Sequence, residues 1–471
     1  MFKLRNHQED SLRAITEMTT TSGRIVIPTG GGKTAVEAYT LRDAVNLNTR
    51  SVHLVLAPRI ALVNQLINEY RGYIGQNYLA VAFHSGKMDE PDYMKVKWSE
   101  TSTTNTAVLD AEYARAKRMN KALVVFSTYA SVHKLLAYDF DTIIADESQY
   151  CVAENHFNTV RDIKATKKLF FTATEKHTAA DGRGLNNESV FGPVLYWIAP
   201  KALIEAGYIV APRLHVMSAK AKDGSYTIID EVIQLATKQI ELSAKHSPYM
   251  SVTKILFAMA GTNDVKEIAD NLDVVKKALP GYTVFTIISN AKYGAMIDGV
   301  KTARGDFLKA LRECDNAIIC HYDILAEGID IDGITGVALM RNMKHSKLLQ
   351  TIGRAVRVYK ANPAAKTFCW VSVVALNDDE ESMNYVATAL RMIRDGGFEV
   401  NVEDVLFTGN KGAGIGTGEE DDALTEADMN AVAKAYLTEV EHTIEQNIIL
   451  EAIATFDATD RRAGMSRMRT V

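Results

Sequence analysis

Three glycines followed by a lysine and a threonine, Gly30-Gly31-Gly32-Lys33-Thr34, are residue types that can enclose a phosphate group. Glycines let backbone N–H groups close around an anion, and a helix opening at Lys33 would add partial positive charge. Lys33 suits the β- and γ-phosphates of a nucleotide, and the Thr34 hydroxyl suits Mg²⁺. Pro28 and Thr29 lead into the glycines, and Ile27 stands where the pattern G-x-x-x-x-G-K-T has its first glycine. The stretch alone would also suit a glycine-rich strand-to-helix turn. A second pair of groups is Asp146-Glu147, delivered at the end of the apolar run Thr142-Ile143-Ile144-Ala145. Ligands bind at such strand ends in open α/β sheets. The first carboxylate can hold Mg²⁺ and the second can orient and deprotonate a water. A third group is Gln350-Thr351-Ile352-Gly353-Arg354-Ala355-Val356-Arg357, whose two arginines are expected on one helix face. Guanidinium groups can complete a phosphate site, although a solvated helix face would carry the same residues.

The elements that must position these groups alternate between strand and helix. Stretches at residues 25–27, 51–58, 79–83, 122–128, 142–145 and 169–174 read as strands, and helical spacing follows the first two. That alternation predicts βαβ units and a parallel sheet. Residues 1–22 read as a helix ahead of the first strand. Within it, Arg5 and Gln8 could read an adenine edge or simply form a solvated first turn. Residues 87–120 read as a polar surface excursion. A second series starts at residues 254–259, with a helix at 263–279, a strand at 283–288, a helix at 301–313, and strands at 317–320, 335–340 and 367–373. It carries no second phosphate loop. Beyond residue 375 come a helix to about Arg394, a glycine-rich linker at 409–418, the acidic run 419–422, a long helix over 425–455 and a basic tail.

The 471 residues allow two to four domains, and 47% hydrophobic with 24% charged residues is ordinary for globular protein. No apolar run approaches the roughly 18 residues that span a bilayer, and the N-terminus is too polar for a secretory signal. A cytoplasmic protein without a membrane partner is expected, in the host cytoplasm if the chain is phage-encoded. The four cysteines form no C-x-x-C pair, so neither a zinc site nor a disulfide framework is expected. A net charge of −5 argues against coating of a polyanion by the whole surface, while a local basic track remains open.

In order and spacing, these stretches resemble the superfamily 2 helicases and translocases over residues 1–375. Residues 4–8 resemble the adenine-reading element, 28–34 motif I, Ala57-Pro58-Arg59 motif Ia, and Ser127-Thr128-Tyr129 motif Ib. Asp146-Glu147-Ser148-Gln149 resembles motif II, Thr172-Ala173-Thr174 motif III, residues 323–330 motif V, and Gln350 through Arg357 motif VI. Residues 190–212 and the Glu-Gly-x-Asp form of motif V are similar to the restriction-enzyme-like branch, ResIII, which includes type I and III restriction motors and phage recombination helicases of the UvsW kind. Pro91-Asp92 followed by Lys95 and Lys97 lacks the strand context of a nuclease signature.

The resemblance implies two tandem RecA-like domains, at 1–205 and 206–375, and a mainly helical extension at 376–471. It implies ATP and Mg²⁺ held through Arg5, Gln8, residues 28–34, Gly328 and Asp330, with Thr34 and Asp146 on the metal. Glu147 would activate water, and Arg354 and Arg357 would neutralise the γ-phosphate. Gln149, Thr172, Thr174 and Gln350 would couple hydrolysis to a strand contacted by Arg59, Thr128 and Ser289. Single-stranded or branched DNA is the implied partner, with 3′→5′ movement, in replication, recombination or repair. RNA, or service as a subunit of a larger restriction complex, is the alternative. Residues 409–471 could dock a replication or recombination protein.

Overall fold

The computed structural model describes residues 3–75, 77–86, 102–178, 182–218, 227–290, 292–322, 331–340, 345–375, 380–400, 405–408, 438 and 441–446. Residues 91–97, which carry no nuclease signature by sequence, motif V at 323–330, the linker and acidic run at 409–422, the basic tail and most of the long helix at 425–455 lie outside them. The described chain forms two compact units, the first ending at Ile209 and the second beginning at Val210.

The first unit contains α1 (Asn6–Glu17), β1 (Ser22–Val26), α2 (Lys33–Leu47), β2 (Val52–Ala57), α3 (Ile60–Ile74), β3 (Tyr78–Phe83) and α4 (Thr106–Met119). It continues with β4 (Ala122–Thr128), β5 (Asp139–Ala145), α5 (Glu154–Asp162), β6 (Lys164–Thr172), α6 (Glu188–Phe191), β7 (Val194–Trp197) and α7 (Pro200–Glu205). The seven strands form one sheet in the order β3-β4-β2-β5-β6-β1-β7, and every pairing is parallel. Both faces are covered, which is why these strands read as unbroken apolar runs. Along β4, Val124 and Phe126 enter the core formed with α2 and α3, while Leu123 and Val125 enter the opposite core with α4 and α5. Neighbouring Phe170 and Phe171 divide in the same way. Truncating such a fully buried ring costs about 3–5 kcal/mol.

The second unit contains β8 (Ala211–Ser218), α8 (Ile228–His246), β9 (Thr253–Ala258), α9 (Thr262–Asp270), α10 (Leu272–Ala278), β10 (Thr283–Ile287), β11 (Ala295–Ile297) and β12 (Val300–Thr302). After these come α11 (Arg304–Glu313), β13 (Asn316–His321), β14 (Ile334–Leu339), α12 (His345–Ala355), β15 (Phe368–Ala375), α13 (Glu380–Asp395) and β16 (Val405–Thr408). Its sheet runs β12-β11-β10-β13-β9-β14-β15-β8-β16. Only the β10–β11 and β11–β12 pairings are antiparallel.

Three features differ from the sequence expectation. The helix read over 263–279 is two helices broken at Asn271, where the backbone is not helical. The three-residue strands β11 and β12 are too short to show a period. The described residues just beyond 375 continue the second unit: α13 packs on β15 and α12, and β16 adds a parallel edge to β8.

Candidate active site

All the candidate groups of the first unit lie at the carboxyl edge of its sheet. Thr128 ends β4, Arg59 caps α3 just after β2, Asp146 follows β5, Thr172 ends β6, and the glycine loop follows β1. Parallel pairing sets this row: Ala57 lies opposite Thr128, Leu56 opposite Ala145, and Val26 opposite Thr172. The loop grows out of β1 because Ile27 N–H still donates to Thr172 O at 3.0 Å. Ile27 is fully buried, and its side chain fills the space beneath Gly31, where a Cβ would collide with it.

The loop is held from outside by the first turn of α1. Arg5 donates to Gly30 O at 3.4 Å, His7 Nε2 meets Gly31 O at 2.7 Å, and Gln8 Nε2 donates to Gly32 O at 3.1 Å. Three consecutive carbonyls thus point toward α1. Gln8 Oε1 accepts from Arg5 N–H at 2.9 Å, so both ends of that buried amide brace the loop and α1 instead of facing an open edge. Gly32 has a φ of 84°, and a Cβ there would run into the Gln8 amide nitrogen. Only glycine meets both demands. Arg5 in turn lies over the Tyr208 ring, 4.6 Å from its centre, and His7 packs against the same ring at 5.3 Å.

Lys33 reaches the acidic pair. Its Nζ lies 3.1 Å from Asp146 Oδ1 and 3.0 Å from Glu147 Oε1. Burial alone would depress this ammonium, but Asp146, Glu147 and Glu37 together hold it above its ordinary value. Glu147 takes a left-handed backbone, φ 50°, which turns its carboxylate back toward Lys33. From there a chain of hydrogen bonds runs from the end of β5 to the end of β6. Gln149 Nε2 donates to Glu147 Oε2 at 2.8 Å, Thr172 Oγ1 donates to Gln149 Oε1 at 2.8 Å, and Thr174 N–H donates to Thr172 Oγ1 at 3.0 Å. The expected coupling residues of the first unit are therefore one continuous relay starting at the lysine.

Three participants carry little sequence signal. Glu37, four residues after Lys33 and on the same helix face, is fully buried and accepts from the Tyr70 hydroxyl at 2.9 Å. Burial first, and Asp146 next, push its carboxyl well above the usual range, which favours the neutral form. A lone acid within Ala35-Val36-Glu37-Ala38 is the clue that could have marked it. The Tyr129 hydroxyl donates to Asp146 O at 2.7 Å. Arg24 on β1 is buried and pairs with Glu175 at 2.5 Å, just beyond Thr174, and with Glu188 at 3.2 Å.

Mg²⁺ is the cation these donors fit, on one condition. Among the described residues no cluster of three His, Cys, Asp or Glu side chains could cage a metal. The Asp146 carboxylate and Thr34 hydroxyl offer only one or two hard oxygens, the sparse set with which Mg²⁺ is bound beside phosphates and water.

In the second unit, Gln350 and Arg354 are buried on α12. The two arginines do not share a helix face: α12 ends at Ala355, and Arg357 lies beyond it. The helix stops because its last carbonyls turn to other donors, with Val210 N–H bound to Val356 O at 2.7 Å. Ser289 is exposed just after β10. Gly328 and Asp330 fall in the segment outside the described residues. In the first unit, Arg59 is exposed, and Thr128 is buried with its hydroxyl donating to Ser131 Oγ at 3.2 Å.

Two mainly parallel sheets, each flanked by helices, define a chain of tandem RecA-like architecture, the architecture of helicase motors. Residues 1–177 match the ResIII family, described as "Type III restriction enzyme, res subunit". The ATP-dependent Type ISP restriction-modification enzyme LlaBIII bound to DNA is similar with a TM-score of 0.68 at 15% identity, over 94% of this chain and 33% of its own. A nuclease-deletion mutant of the Type ISP enzyme LlaGI with a DNA substrate mimic gives 0.58 at 17%, over 83% and 29%. The DEAD-box helicase Mss116 bound to ssRNA and UDP-BeF gives 0.54 at 15%, over 87% and 76%. This chain thus spans about a third of the Type ISP enzymes. No curated protein matches the sequence. The family match is confined to residues 1–177, and the likeness to these structures is one of fold. No helix among the described residues is long and apolar enough to cross a membrane.

Proposed function

We propose that this chain is an ATP-driven motor that moves on or remodels DNA, with forked or branched DNA as its preferred substrate. The observation that carries the reading is the unbroken relay from Lys33 through Glu147, Gln149 and Thr172 to Thr174. Without nucleotide, Lys33 rests on Asp146 and Glu147. Binding of ATP draws the ammonium to the β- and γ-phosphates and frees both carboxylates. Thr34 and Asp146 would hold Mg²⁺, which when bound would supply positive charge beside the phosphate oxygens. Glu147 then orients the attacking water and takes its proton. Because Gln149 is bonded to Glu147 in the resting state, the shift of Glu147 is felt at Thr172 and Thr174. Arg354 and Arg357 are the arginines this reading assigns to the γ-phosphate. Arg59, Thr128 and Ser289 are its contacts to the nucleic-acid backbone, which give affinity without sequence choice.

DNA is preferred to RNA because the family matched over residues 1–177 is that of a restriction subunit and because two similar structures are DNA complexes. The deciding measurement is ATP hydrolysis against single-stranded, duplex and forked DNA and single-stranded RNA. Stimulation by DNA, greatest with forks, is expected; stimulation by RNA alone would overturn the DNA assignment. Strand separation by the purified chain, without partners, separates a free-standing motor from a subunit of a larger complex.

A further inference from the structure

Lys366 lies outside every motif, in the short connection between α12 and β15, yet it is 4% exposed. Its ammonium donates to three backbone carbonyls: Ile334 at 2.6 Å, Arg357 at 2.7 Å, and Ala355. An ammonium has three donors and no acceptor, so the set is filled. Two of these carbonyls bracket the turn that carries Arg357 and follows Arg354, and the third opens β14. Val210 N–H takes the carbonyl between them, that of Val356. Positive charge at a helix C-terminus also meets the negative end of the helix dipole. A buried lysine is costly to keep, and among the described residues its hydrogen bonds all go to backbone carbonyls. Its place is explained by what it holds.

We infer that Lys366 is a positioning residue for the two arginines, fixing the backbone from Ala355 to Arg357 so that Arg354 and Arg357 are presented in a set geometry. This rests on the reading that those arginines serve ATP hydrolysis. The turn itself cannot do the job, because Val356 N–H, bound to Ile352 O at 3.0 Å, makes the last bond of the helical ladder and Arg357 lies past it.

The charge on Lys366 makes the role testable. Burial pushes its pKa down to about 8; the Cys369 thiol and the Asp332 side chain oppose that shift, and Arg357 adds to it. Burial raises the Cys369 thiol itself to about 12, so it carries no charge near pH 8. A neutral amine has only two donors and aims a lone pair at the third carbonyl. The folded value lies below the roughly 10.4 of an unfolded lysine. The unfolded chain therefore holds more protons between these values, and stability at this group rises with pH while the arginine turn loosens. A purely structural lysine would let activity and stability move together.

The experiment measures kcat and KM for Mg·ATP with the full chain and single-stranded oligo-dT, from pH 7 to 9.5, alongside thermal melting. In the wild type, kcat should fall on the order of 10-fold above about pH 8 without a matching loss of melting temperature. In Lys366→Met, kcat at pH 7.5 should already be lower by roughly 10- to 100-fold with KM unchanged, and the alkaline fall should be gone. A flat wild-type profile, or a Lys366→Met enzyme with unchanged kcat, overturns the inference. Should Lys366→Met fail to fold, the wild-type profile decides. Arg354→Ala and Arg357→Ala run beside it: if the wild type hydrolyses ATP and neither variant loses activity, the reading of the arginines fails instead.

Discussion

Lys33 and Lys366 are the same side chain, one mostly and one fully withdrawn from solvent, and their surroundings drive them in opposite directions. Lys33 faces carboxylates, which hold it above its ordinary value against the cost of burial. Lys366 is bonded to carbonyl dipoles, and burial outweighs the opposing Cys369 and Asp332 side chains, bringing it to about 8. Full charges compensate a buried ammonium better than dipoles do. The chemical uses differ accordingly. A lysine parked on Asp146 and Glu147 has partners it can exchange for phosphate oxygens of equal charge. A lysine bonded to three carbonyls of its own fold has nothing to exchange and serves as a strut.

The largest break in this comparison should come from Lys33→Ala, which removes the exchangeable charge. ATP hydrolysis is expected to drop by about 10²- to 10³-fold, as when a single transition-state donor is lost. Nucleic-acid-stimulated hydrolysis within tenfold of wild type would sink the site. Gly32→Ala tests the frame around Lys33 more gently. The left-handed backbone alone costs about 1–2 kcal/mol with a Cβ, so binding of a fluorescent ATP analogue should weaken roughly tenfold. Between pH 7 and 9.5 that same binding should stay level in the wild type, since Lys33 keeps its proton throughout, and a fall above pH 8 would erase the contrast with Lys366. The smallest effect concerns the acid side. Burial lowers His7, with the Gly31 contact opposing. Its contribution to stability is therefore full above about pH 6.5 and lost as pH falls below that value. His7→Gln should flatten the acid slope of the melting temperature.

Much of the first unit is visible in the chain itself, because a parallel sheet covered on both faces must be written as unbroken apolar strands. The stretches at 122–128 and 142–145 are β4 and β5. The groups at strand ends are visible as well, as residue types suited to phosphate chemistry. What stayed hidden depends on contacts between distant segments. By sequence Gln8 suits a base edge or a solvated turn equally, and nothing in that stretch announces that its amide bonds to Gly32, 24 residues on. The Arg354 and Arg357 spacing promised one helix face, but spacing does not reveal that the carbonyls of residues 355–357 turn to Lys366 and Val210. β8 is interrupted by Pro212, Arg213 and His215, and its strand character comes from lying between β15 and β16. Glu37 differs, because an acid inside an apolar helix is a visible anomaly.

The strand that launches the phosphate loop is made early and finished late. β1 pairs only with β6 and β7. During synthesis residues 22–26 therefore emerge with neither neighbour, and at about 5–20 residues per second they wait on the order of ten seconds for residues 164–172. The α1 clasp needs no such delay, being adjacent in the chain. A ribosome-bound fragment ending before residue 164 should carry the glycine loop but no nucleotide-binding capacity, and that capacity should appear as an all-or-none gain once β6 has emerged.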